Sequence, residues 1–75
     1  MTGSDFLQLH REQAPARGLT AWLAGAVRAA VLDGRLPPGA PLPASRTLAR
    51  DLGLARGVVV GAYQRLTDEG LVTAR

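Results

Sequence analysis

Nine arginines and no lysine carry all the side-chain cation of this 75-residue chain, against six carboxylates, for a net charge of +3. A guanidinium presents its donors in a planar fork, which grips a phosphate or pairs two-pronged with guanine O6 and N7. Groups for covalent or metal chemistry are scarce. Without lysine there is no amine for a Schiff base, and without cysteine there is no thiolate metal site and no disulfide framework. The lone His10 has no second histidine to share a metal and reads as a solvated side chain. Asp68 and Glu69 are adjacent, and neighbours on a helix diverge by about 100°, so the pair reads as polar surface near a helix end. Ser45 has no histidine or lysine to activate it and reads as a helix N-cap. The inventory points to a basic surface for a polyanion and to no enzyme.

Those arginines must be held by a single small core, because a chain this short buries only about 60% of the surface its unfolded form exposes. Hydrophobic residues make up 47% of the chain and aromatics 4%, with Phe6, Trp22 and Tyr63 as single copies. Leucine, valine and alanine in that proportion suit packed helices. The longest apolar stretch, Leu19 to Leu32, is interrupted by Arg28 and falls short of the roughly 20 residues of a membrane span. No basic segment leading to a small-residue cleavage site opens the chain, so the expectation is a cytoplasmic protein without membrane attachment.

Three helices follow from the pattern. Leu19, Trp22, Leu23, Ala26, Val27, Ala30 and Val31 recur at steps of three and four, which predicts a helix from Leu19 to Asp33 stopped by Gly34. The segment from Arg35 to Pro43 carries four prolines and reads as a stiff loop. Arg46 to Leu52 reads as a short helix, capped by Ser45 and ended by Gly53, with Leu48, Ala49 and Leu52 inward. One turn later Val59, Ala62, Tyr63 and Leu66 repeat at helical spacing until Gly70. Residues 1–18 form an arm in which Asp5 to His10 could make a short strand, and Leu71, Val72 and Thr73 have β character, as half of a hairpin would.

Two short helices joined at a glycine, with small Ala49 in the first and Val59 and Ala62 in the second, match a helix-turn-helix. The runs Asp33 to Gly39, Leu42 to Arg46, Leu52 to Arg56 and Leu66 to Leu71 resemble the signature of GntR-family winged helices. Within that family, Arg56 to Leu66 and the Asp5 to Leu9 segment are most similar to the MocR subfamily. The resemblance implies a mainly α winged helix-turn-helix over residues 19–75, a three-helix bundle with a small, incomplete β-wing. It also implies a double-stranded DNA operator as partner and homodimerisation through a further domain. In MocR-like proteins that domain is related to aminotransferases and binds pyridoxal phosphate, so the cofactor is expected there and none in this segment.

Helical geometry nominates the reading face. With Val59, Ala62, Tyr63 and Leu66 inward, the opposite side carries Gly57, Val60, Gly61 and Gln64, while Val58 and Arg65 lie on one flank and Arg56 on the other. Family members often place threonine, asparagine or arginine near positions 57, 58 and 60, so this chain lacks several side-chain donors. The glycines are expected to let the backbone approach DNA, with Val58 or Val60 touching a thymine methyl. Arg46 and Arg56 match the family's DNA-contacting arginines, with Ser45 and Gln64 as secondary contacts to phosphate and base. Arg28, Arg35, Arg50 and Arg65 read as ordinary solvated charges. Two other readings remain open: the head of a YtrA-like regulator with a short helical dimerisation domain, and a winged helix that binds protein.

Overall fold

The computed structural model describes residues 14–36 and 41–72. Three helices, α1 (Leu19–Leu32), α2 (Ser45–Leu52) and α3 (Arg56–Asp68), pack around one core, with α3 lying against both of the others. The described residues contain no strand. The expected strand at Asp5 to His10, residues 37–40 of the proline-rich loop and Thr73 of the expected wing lie outside them. Leu71 and Val72 form a bend after α3.

The core is aliphatic. Leu23, Val27, Leu48, Val59 and Leu66 are fully buried, and Trp22, Leu42, Leu54, Val58, Tyr63 and Leu71 pack against it from the edge. The inward face of α1 is set slightly differently from its expected one. Ala24 is buried, whereas Leu19, Trp22 and Ala26 are only half-buried. A side chain as large as tryptophan fits at the edge of so small a core more readily than within it. Among the described residues no buried side-chain nitrogen or oxygen lacks a hydrogen bond.

Ala49 and Ala62, both buried, are the small residues of the helix-turn-helix. The turn between α2 and α3 is made by Gly53 at φ 68°, a left-handed conformation that costs glycine nothing. The Gly53 amide donates to the Arg50 carbonyl at 3.3 Å and the Leu54 amide to that of Ala49 at 2.9 Å. Those bonds occupy two carbonyls that the end of a helix otherwise leaves free, and Leu54 packs back onto the core. Gly70 repeats the arrangement after α3, where the Leu71 amide reaches the Leu66 carbonyl at 3.0 Å. Each glycine thus both stops a helix and aims the next leucine at the core.

The start of α2 differs from expectation. Its N-cap is Ala44, with no side-chain cap bond, and Ser45 is the first helical residue. The serine hydroxyl is engaged elsewhere, as described below.

Candidate nucleic-acid interface

Arg46, on the first turn of α2, and Arg56, the first residue of α3, are both exposed. The two helix starts lie side by side, with Arg56 Nε donating a long hydrogen bond to Ser45 Oγ at 3.5 Å. This contact is where the serine hydroxyl goes instead of capping α2. Ser45 is half-buried between the helices, which leaves it less open to a phosphate than an exposed cap would be. Among the described residues, no carboxylate pairs with Arg46, Arg50 or Arg56. A guanidinium that is already solvated and free of a carboxylate gives up little on meeting an anion.

Gly57, Val60 and Gln64 lie exposed along the outer side of α3, as their spacing predicts. Gly57 is open: a β-carbon built on it meets nothing within 4 Å. The Gln64 side chain is committed locally, its Nε2 donating to Asp68 Oδ1 at 3.0 Å. Val58 is half-buried and packs against the core, so Val60 is the valine of the outer face.

Gly61 does not belong to that face. A β-carbon there would stand 3.2 Å from Thr20 Cγ2, so Gly61 faces the start of α1. A helical wheel places Gly61 close to Gly57, but α1 crosses α3 on that side, and a wheel does not show where a neighbouring helix lies. A second contact secures α1 to α3 further on. Arg28 grips Glu69 two-pronged, Nε to Oε1 at 2.8 Å and Nη2 to Oε2 at 2.6 Å. This hydrogen-bonded guanidinium holds the Glu69 carboxyl below its ordinary value. Arg28 is therefore no idle surface charge, and neither is Arg35, whose Nε donates to Asp33 Oδ2 at 2.8 Å and lowers that carboxyl likewise.

Tyr63 braces the loop before α2. Its hydroxyl donates to the Pro43 carbonyl at 2.8 Å, and burial pushes its pKa up to about 12. The phenol is thus held neutral, linking α3 to the residues that lead into Ser45 and Arg46. Arg50, which reads from the sequence as an ordinary solvated charge, is exposed and follows Arg46 by four residues on α2, which places both on one side of that helix.

Among the described residues no helix is long and apolar enough to cross a membrane, and no three metal-ligating side chains come together. Two adjacent helix starts whose arginines meet no carboxylate among the described residues, braced by a buried-alanine crossing, make a helix-turn-helix suited to a polyanion. The family model for bacterial regulatory proteins of the gntR family matches residues 19–75. The chain belongs to the GntR family. It is the DNA-binding domain of a GntR-type transcription regulator, and double-stranded DNA is the partner this domain implies.

The pyridoxine biosynthesis transcriptional regulator PdxR of Corynebacterium glutamicum is 54% identical over 50 residues, 65% of this chain and 11% of that protein. The probable rhizopine catabolism regulatory protein MocR of Rhizobium meliloti is 39% identical over 49 residues, 65% of this chain and 10% of that protein. The HTH-type transcriptional regulator Rv1152 of Mycobacterium tuberculosis is 42% identical over 53 residues, 65% of this chain and 44% of that protein. The matched segment thus spans about a tenth of PdxR and MocR and under half of Rv1152. No solved structure matches the chain.

Proposed function

We propose that this chain is the operator-reading head of a MocR-like regulator, with Arg46 and Arg56 as its main DNA contacts and Arg50 as a phosphate contact. The observation that carries the reading is the juxtaposition of the two helix starts: Arg56 reaches Ser45, Arg46 follows that serine directly, and among the described residues neither arginine is paired with a carboxylate. Gly57 and Val60 complete the surface on α3, and Gln64 extends it once its bond to Asp68 opens. A lone module of this size binds weakly, and two heads joined in a homodimer gain affinity from their high effective concentration over paired half-sites.

The MocR assignment is supported by the likeness to PdxR and MocR, in which the matched segment is a small part of a long protein. In such a regulator pyridoxal phosphate is held by a separate aminotransferase-like domain. None of the 75 residues here is a lysine, so this segment does not fit the cofactor's Schiff base. The likeness to the shorter Rv1152 favours a second reading, in which the head serves a compact regulator of the YtrA-like kind.

Selection of duplexes from a random pool by the full-length protein, followed by titration at rising salt with and without pyridoxal phosphate, tests both. A DNA-reading head enriches a defined site and loses affinity steeply with salt, with a log-log slope near −0.9 per phosphate neutralised. A response to pyridoxal phosphate supports the MocR reading, and a salt-sensitive binder indifferent to it supports the compact regulator. Failure to enrich any duplex would leave a protein-binding winged helix as the better account.

A further inference from the structure

We propose that Val60, one helical turn along α3 from Arg56, is a specificity-determining residue that reads the 5-methyl group of a thymine. The proposal rests on the DNA-reading function above and names what its α3 face selects. Val60 is 46% exposed, and with Leu32 it is one of two large hydrophobic side chains so exposed among the described residues. Leu32 sits on α1, away from the helix starts, whereas Val60 lies on α3 between the exposed positions Gly57 and Gln64.

The neighbours of Val60 leave it the contact to make. Gly57, one turn earlier, has no side chain and open space around it, which gives a base edge room to approach. Gln64, one turn later, has its amide donor turned to Asp68. Val58 is half-buried against the core and Gly61 is covered by Thr20, so neither offers an apolar head to the outer face. In the major groove a thymine alone presents a methyl group, and every other base edge presents donors and acceptors that an aliphatic side chain cannot pair. A helical valine is also held largely in one χ1 rotamer, so ordering it against the methyl costs little entropy.

The test uses the full-length protein and the duplex it enriches from a random pool, with each thymine replaced in turn by deoxyuridine, which lacks only the methyl. One thymine per half-site is expected to weaken wild-type binding about fourfold when replaced, the effect of burying one methyl-sized apolar group. That ratio should persist as salt rises, because no phosphate is involved. Val60→Ser and Val60→Asn, which carry no methyl, should bind the thymine and deoxyuridine duplexes equally, and Val60 is exposed enough for both variants to fold. Indifference of the wild type to deoxyuridine at every position would overturn the proposal while leaving DNA reading intact, as would sensitivity that survives in both variants. Absence of any enriched duplex would overturn both together.

Discussion

Gly57 and Gly61 stand one turn apart on α3 and look interchangeable in the sequence, yet they do opposite things. A β-carbon on Gly57 would project into open space, whereas one on Gly61 would stand 3.2 Å from Thr20 Cγ2. The first glycine thins the outer surface of the helix, and the second lets α1 come close. The same division runs along the whole helix. Its inner and α1-facing sides, with Val59, Ala62, Leu66 and the following Glu69, belong to the fold, while Arg56, Gly57, Val60 and Gln64 remain available to a partner. A recognition helix carrying few long polar side chains can still be specific if its bare positions control distance and its one apolar head chooses among base edges.

The division can be tested from both sides. The largest effect is expected in the core, where Leu66 is fully buried. Leu66→Ala should lower unfolding stability by about 2–5 kcal/mol in denaturant titrations. Any loss of DNA binding should then track the unfolded fraction, and a binding loss in fully folded protein would break the separation of the two faces. A smaller and more discriminating effect is expected from the glycines. Gly57→Ala should stabilise the domain by up to about 1 kcal/mol, the interior helical advantage of alanine reduced by its place in the first turn of α3, while weakening operator binding. Gly61→Ala should gain less than that, because Thr20 has to move, and should leave binding unchanged. Equal stability gains with equal binding losses would erase the distinction.

The smallest effect concerns the Arg28–Glu69 pair, which is exposed and so contributes little. The folded Glu69 carboxyl lies below its ordinary value of 4.5. Its contribution is therefore present above that value and is lost as pH falls through the lowered folded one. Glu69→Gln should flatten the acid side of the stability-versus-pH curve without altering operator binding at neutral pH. An unchanged acid limb would mean that the pair does not hold α1 to α3.

Much of this arrangement was legible in the sequence. The three helices follow from apolar spacing and glycine stops, and Leu48, Ala49, Leu52, Val59, Ala62 and Leu66 are buried as their periodicity implies. The mainly α fold follows from the same residues, and the family from the resemblance of Asp33 to Gly39, Leu42 to Arg46, Leu52 to Arg56 and Leu66 to Leu71 to the GntR signature. What periodicity could not supply was the direction from which neighbouring helices approach. Periodicity alone therefore puts Gly61 on the outer face, leaves Ala24 out of the core of α1 and Ala26 in it, and reads Ser45 as a cap, whereas Gly61 faces Thr20, Ala24 is buried and Ser45 meets Arg56. Arg28 and Glu69 lie far apart in sequence, and no local rule pairs them. The positions of Arg46, Arg56 and Val60 were readable because exposure on a short helix depends mainly on its own core-facing stripe.

The most direct test of the central claim, that the adjacent starts of α2 and α3 read DNA, is the affinity of full-length Arg56→Ala for the selected site and for unrelated duplex, measured beside its thermal melt. A base contact by Arg56 predicts that loss of the arginine removes about 1–3 kcal/mol of preference for the selected site, whereas a phosphate contact would weaken all duplexes alike. The melting temperature should stay close to that of the wild type, because Arg56 is exposed and its contact with Ser45 is long. Wild-type affinity and preference in a folded Arg56→Ala protein would contradict the account.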